Sequence, residues 1–183
     1  MYLGIKKLKA IDASSLLTND IFTKEQMLEA YSNGSIFGKM AETLVANSYT
    51  SLCKPKAAQT YFDLEDVATG EFKIEVRTMT KGGCLLIPSN QIGKGRSYNE
   101  EEYLKKLAAI NGFIIADIRT FPEIILYWLD KNIVYSVFHT GIKSKLRYAT
   151  ILSEGTNLNE EEKERIRQIL YQANSSFPTH IFT

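Results

Sequence analysis

Apolar and polar positions along the chain follow two periodicities, one typical of helices and one typical of strands. Apolar residues recur at helical spacing in the segment that contains Phe37, Met40, Ala41 and Leu44. Asn99 is followed by three glutamates and caps the start of another helix. Spacing and caps together predict helices over 23–31, 35–53, 99–110 and 159–172.

Shorter segments with alternating or continuous apolar residues predict strands. We expect these at 60–66, 71–80, 84–87, 113–118, 123–129 and 133–138. Turns are predicted at Ala68-Thr69-Gly70 and, as a hairpin between the last two strands, at Asp130-Lys131-Asn132. Helices that flank such a run of strands predict an α/β fold with a central mixed sheet of five or six strands.

Length and composition indicate one ordinary globular domain over residues 1–183. Hydrophobic residues make up 44% and charged residues 23%, and no repeat or linker divides the chain. Lys and Arg number 22 against 21 Asp and Glu, so the overall charge neither indicates nor excludes a nucleic-acid partner. Any such contact must come from local basic clusters.

Several classes of protein fit the sequence poorly. Two cysteines, Cys53 and Cys84, are too few for a disulfide scaffold or a Cys/His zinc site and favour a reducing compartment. The N-terminus lacks an uninterrupted apolar region, and no stretch approaches 18 apolar residues, so we expect a cytoplasmic protein that does not span a membrane. A GxSxG elbow is absent, which disfavours serine hydrolase chemistry.

The segment 61–77 carries the most informative chemistry. Because side chains alternate along a strand, Glu71, Lys73, Glu75 and Arg77 share one face and Phe72, Ile74 and Val76 share the other. The predicted turn at Thr69-Gly70 would bring Asp63 or Asp66 towards Glu75. Two carboxylates with a backbone carbonyl can hold Mg²⁺, which activates water and offsets charge in phosphodiester hydrolysis. The same alternation is also typical of a strand with one solvated face and ordinary cross-strand ion pairs.

The motif resembles that of the PD-(D/E)XK nuclease superfamily, which has the restriction-endonuclease-like fold. That family has an Asp, a gap of ten or more residues, and then Glu-x-Lys. This chain has Asp63, eleven intervening residues and then Glu75-Val76-Arg77. Compact dimeric type II restriction enzymes also have a second Asp three positions after the first, as Asp66 is here. The order of helices and strands over 35–120 is similar to the superfamily as well.

The resemblance implies a Mg²⁺-dependent type II restriction endonuclease that cuts double-stranded DNA as a homodimer without an organic cofactor. Asp63 and Glu75 would hold the metal, with Asp66 as a lower-ranked ligand, and Arg77 or Lys73 would stabilise charge on the phosphate. The chain departs from the family at Arg77, which replaces a lysine and cannot shuttle a proton. A non-catalytic nucleic-acid-binding protein on the same fold is therefore the main alternative, and a scaffold protein is a third.

Two basic segments are candidates for DNA contact. The first combines flexible glycines with side chains that can read base edges, namely Asn90, Gln91, Lys94 and Arg96. The second would place three cations on one strand face, Lys143, Lys145 and Arg147. A surface loop and a lysine-guarded edge strand are the equally simple structural interpretations.

Overall fold

The computed structural model describes residues 4–14, 25, 37–56, 61–86, 99–140, 148–152, 158–172 and 177–182. Within these residues six strands form one mixed sheet. The strands are β1 (Ile5–Asp12), β2 (Leu52–Cys53), β3 (Leu64–Asp66), β4 (Lys73–Met79), β5 (Gly112–Asp117) and β6 (Glu123–Asp130). Their order across the sheet is β1-β6-β5-β4-β3-β2. Only the β4–β5 pair is parallel, and the others are antiparallel.

The described helices cover both faces of this sheet. They are α1 (Phe37–Ser48), α2 (Glu100–Ala109), α3 (Lys131–Phe138), α4 (Tyr148–Ile151) and α5 (Glu160–Gln172). Since parallel neighbours need a crossover connection, α2 links β4 to β5 across one face of the sheet. None of the described helices is long and apolar enough to cross a membrane. The coarse prediction of an α/β fold with a central mixed sheet is confirmed.

Two apolar clusters form the core, one on each face. On one face α1 packs through Phe37, Ala41 and Val45 onto residues of β4 and β5 that include Ile74 and Ile114. The opposite face carries α2 to α5, which pack against Met79 of β4 and Phe113 and Ile115 of β5. β4 is therefore an inner strand with helices on both sides. Its side chains point alternately towards α1 and towards α2.

Short-range signals correctly placed the starts of α2 and α5 and the turn between β3 and β4. Asn99 caps α2 through a hydrogen bond from the backbone N–H of Glu102 at 3.2 Å. Asn159 and Glu162 form the reciprocal capping box of α5, each side chain accepting from the other's backbone N–H. Gly70 has a φ of 69°, which a turn with a left-handed residue requires and which glycine adopts without strain.

Four predictions of secondary structure are wrong. The helix predicted over 35–53 ends at Ser48, and Leu52–Cys53 form strand β2. Residues 133–138 lie in helix α3 rather than in a strand, because Ile133, Val134, Val137 and Phe138 form a buried helical stripe. Asp130 does not begin a hairpin but caps that helix, its carboxylate accepting from the backbone N–H of Asn132.

The predicted strand at 84–87 and the N-terminal strand also differ from expectation. The described part of 84–87 contains no strand, and Thr80 and Gly83 form an isolated bridge beside it. β1 was not predicted, since its three lysines obscure the alternation. The predicted helix at 23–31 lies outside the described residues, apart from Glu25.

Candidate active site

The hairpin of β3 and β4 brings Asp63, the residue before β3, close enough to Glu75 for their charges to interact. In the hairpin Leu64 pairs with Ile74 and Glu65 with Lys73. The backbone N–H of Asp63 donates to the carbonyl of Ile74 at 2.9 Å. Its side-chain Oδ2 accepts from the backbone N–H of Val76 at 2.8 Å. These two bonds, one from the backbone and one to the carboxylate, hold Asp63 against the residues on either side of Glu75.

Asp66 has a different role in the same hairpin. Its carboxylate accepts hydrogen bonds from the backbone N–H groups of Thr69 and Phe72 at 2.7 and 2.8 Å, and from the Thr69 hydroxyl. Desolvation raises the pKa of Asp66, but these hydrogen bonds outweigh it and lower the pKa to about 2. By strand alternation Asp66 shares the face of Leu64, which packs on the α1 side. The structure therefore does not bring Asp66 to the Asp63–Glu75 pair.

Glu75 lies on the face of β4 that α2 covers, and it is only 2% exposed. The Nζ of Lys106, on α2, lies 2.7 Å from Glu75 Oε1. The Nη2 of Arg77, two residues along β4, lies 2.5 Å from the same oxygen. The interpretation of this face as simply solvated is therefore wrong for Glu75, although Lys73 and Arg77 are partly exposed.

Burial and neighbouring charges set the electrostatics of this cluster. Desolvation is the largest influence and raises the pKa of Glu75 to about 7. The positive charges of Arg77 and Lys106 lower that pKa, whereas the negative charge of Asp63 raises it. Desolvation also lowers the pKa of Lys106, whereas the negative charge of Glu75 raises it. Glu75 and Lys106 are thus buried away from water, and the partly exposed Asp63 and Arg77 act on them through their charges.

Arg77 and Lys73, the two cations predicted for phosphate contact, have different surroundings. Arg77 Nε and Nη2 are buried atoms without a hydrogen bond of acceptable geometry among the described residues. Its contact with Glu75 is thus an ion pair whose donors are not aligned. The ammonium of Lys73 lies over the Phe62 ring, 5.0 Å from the centroid.

Lys106 is the residue that motif spacing missed. It is 31 residues from Glu75 in sequence, so the motif of Asp63 followed by Glu75-Val76-Arg77 cannot include it. A signal was nevertheless present, because Tyr103, Lys106, Leu107 and Ile110 follow helical spacing and place a lysine at a core position. Lysine is almost never fully buried unless it is paired.

The predicted DNA-contacting residues cannot be placed. Asn90, Gln91, Lys94 and Arg96 all belong to 87–98, which lies outside the described residues. The same holds for Lys143, Lys145 and Arg147, in 141–147.

The carboxylate oxygens of Asp63 and Glu75 are ligands of the kind that Mg²⁺ usually has in proteins. No cluster of three or more His, Cys, Asp or Glu side chains is found in the described part of the chain. Mg²⁺ commonly binds through one or two carboxylates and completes its shell with water and substrate phosphate, so such a cluster is not required. Among the described residues, Lys106 and Arg77 both contact Oε1 of Glu75 and Val76 contacts Oδ2 of Asp63. The second oxygen of each carboxylate has no protein partner there.

Comparison with known proteins identifies no significantly similar protein. The chain matches no protein-family model, and neither a curated protein nor a solved structure is significantly similar to it.

Proposed function

We propose that this protein is a Mg²⁺-dependent endodeoxyribonuclease of the type II restriction class, with a restriction-endonuclease-like fold. One observation carries the proposal. The Asp63 side chain is bound to the backbone of Val76, next to Glu75, and its charge acts on Glu75, while the buried Glu75 contacts two cations, Lys106 and Arg77. Two acids for a hard metal ion and two cations for phosphate are the equipment that phosphodiester hydrolysis requires.

The carboxylates of Asp63 and Glu75 would hold the metal ion. When bound, Mg²⁺ supplies an electrophile that polarises the phosphate and lowers the pKa of a coordinated water. The hairpin supplies the rigidity, since two hydrogen bonds fix Asp63 to the strand that carries Glu75. Because Glu75 and Lys106 are buried, their charges act more strongly on neighbouring groups than they would in water.

The reaction is the addition of one water across a phosphodiester bond. The water oxygen forms a bond to phosphorus and the bond from phosphorus to the leaving sugar oxygen breaks. The leaving oxygen gains a proton and the water loses one, so a phosphomonoester and an alcohol result. Negative charge grows on the phosphate oxygens during this change, and the guanidinium of Arg77 stabilises it. Arg77 stays protonated throughout.

The restriction class adds two features to this chemistry, a short recognition sequence and a homodimer. A chain of 183 residues offers limited surface for reading DNA, and a second copy would double that surface and provide two active sites for a palindromic target. A companion methyltransferase would then protect the host DNA.

A non-catalytic nucleic-acid-binding protein is the second candidate. The observation that favours it is Arg77 at the position where the resembling family has a catalytic lysine. Such a protein would keep a salt-dependent affinity for DNA and would not cut it.

Plasmid cleavage separates these functions. The purified protein is incubated at low salt with plasmid or phage DNA, with Mg²⁺ or with EDTA, beside the variants Asp63→Asn and Glu65→Gln. Glu65 is the matched control, because it loses the same charge from the same hairpin, opposite Lys73 and away from Glu75. We expect discrete fragments that require Mg²⁺, persist in Glu65→Gln and fall at least about 100-fold in Asp63→Asn. Intact DNA with retained binding would establish the second candidate instead.

A further inference from the structure

We infer that Lys106 is a further catalytic residue, whose ammonium contacts the scissile phosphate; this rests on the proposed nuclease function. Lys106 is brought to the site by α2, the crossover helix between the two parallel strands β4 and β5. Its Nζ lies 2.7 Å from Glu75 Oε1 and interacts electrostatically with Asp63 and Arg77. Lys106 therefore interacts with each of the other three charged groups of the site.

The burial of Lys106 is costly and packing alone does not explain it. The residue is 6% exposed, between Tyr103 and Leu107 on the apolar side of α2. An apolar residue of similar volume could fill the same space without desolvating a charge. Burying the lysine is therefore a cost to stability that a role in binding an anion would explain.

The unused donors at the site indicate what kind of group it binds. An ammonium has three N–H donors, and Glu75 Oε1 is the acceptor for Lys106 within the described residues. Arg77 adds the buried Nε, which has no acceptor in that part of the chain, while its Nη2 makes the ion pair with Glu75. Buried donors normally have acceptors. A phosphodiester has two non-bridging oxygens that accept several hydrogen bonds, so it matches this surplus of donors.

The neighbouring lysines do not offer the same contact. Lys73 shares a strand face with Glu75, but its ammonium lies over the Phe62 ring. Lys105 is next to Lys106 in sequence, yet it is half exposed and pairs with Glu101 and Glu102. Lys106 thus places an ammonium beside Glu75, where the family motif would supply one from a lysine at position 77. Its role is to supply charge and a hydrogen bond while it stays protonated, so no bond to it forms or breaks.

Single-turnover cleavage tests this role. The rate is measured with protein in excess over DNA at saturating Mg²⁺ for wild type, Lys106→Met, Lys106→Arg and the matched control Lys105→Met. Metal affinity and thermal unfolding are measured on the same samples. We expect Lys106→Met to lose at least about 100-fold in rate at saturating metal. Lys106→Arg, which keeps the charge, should recover part of the loss, and Lys105→Met should cleave as wild type does.

A merely structural role for Lys106 predicts a different result. Lys106→Met would then change metal affinity or the unfolding temperature, and its rate would return to within about threefold of wild type at saturating Mg²⁺; that result would overturn the inference. If Lys106→Met does not fold, Lys106→Gln and Lys106→Arg are compared, and equal rates would equally overturn it. A wild-type protein that does not cleave DNA would refute the nuclease proposal, and the inference with it. Cleavage that survives in Lys106→Met refutes the inference alone.

Discussion

The two faces of β4 bury side chains of opposite character. On the α1 side, Ile74 and Val76 lie among aliphatic and aromatic side chains. On the α2 side, Glu75 lies beside Lys106 and Arg77. Ile74 and Glu75 are adjacent in sequence and are 0% and 2% exposed, so the degree of burial does not distinguish them.

The difference lies in what burial does to stability. Burying an aliphatic side chain removes apolar surface from water and stabilises the fold by about 1.5–3 kcal/mol. Burying an ion pair has a desolvation cost that the attraction between the charges often does not recover. The α1 face is thus explained by folding, whereas the α2 face around Glu75 is better explained by a function that needs charges in a dry environment.

The largest predicted effect on stability is on the α1 face. Ile74→Ala should lower the free energy of unfolding by about 2–5 kcal/mol, because it leaves a cavity in a closely packed cluster. Urea denaturation measures the change, with Ile74→Val as the matched control at about 0.5–1.5 kcal/mol. Cleavage per folded molecule should be unchanged. A loss of cleavage in fully folded Ile74→Ala would show that the two faces are not separable.

The next effect concerns Asp66, a buried carboxylate whose burial the hairpin itself explains. Asp66→Asn should lower the free energy of unfolding by about 2 kcal/mol near neutral pH, since the charged acceptor of the turn is lost. Because the pKa of Asp66 is lowered to about 2, its contribution is present above the unfolded value of 3.8 and is lost as the pH falls through about 2.

The pH profile makes the Asp66 prediction specific. Wild type should lose stability between about pH 4 and pH 2, and the difference from Asp66→Asn should shrink over that window. Thermal unfolding across this range measures it, and Glu65→Gln serves as a control that should change stability by less than about 0.5 kcal/mol. Equal acid profiles for wild type and Asp66→Asn would contradict the role of Asp66 in the turn.

Features that depend on a few neighbouring residues could be predicted from the sequence. Asn99 and Asn159 were assigned as caps because a cap acts within one turn of its helix. The β3–β4 hairpin followed from the turn at Gly70, and with it the approach of an aspartate to Glu75, although the turn alone left Asp63 and Asp66 as alternatives. This half of the candidate site is local in sequence.

The remainder depends on contacts between distant segments. Lys106 reaches Glu75 only because α2 crosses the face of β4, and alternation along β4 could not show whether that face was covered. α3 was mistaken for a strand because β-branched and aromatic residues dominate it, and only its packing against the sheet reveals the helical stripe of Ile133, Val134 and Val137. Tertiary packing overrode local preference in both places.

The smallest predicted effect concerns the Asn99 cap of α2. It tests whether this cap only stabilises the helix or also positions Lys106 beside Glu75. Asn99→Ala should lower the free energy of unfolding by about 1 kcal/mol, because the backbone N–H of Glu102 loses its acceptor. Asn99→Asp should retain most of that stability. Since Lys106 lies two turns from the cap and pairs with Glu75, cleavage at a temperature where the variant is fully folded should be unchanged. A tenfold loss of cleavage in folded Asn99→Ala would mean that the cap positions Lys106, and the charged face would then extend to the start of α2.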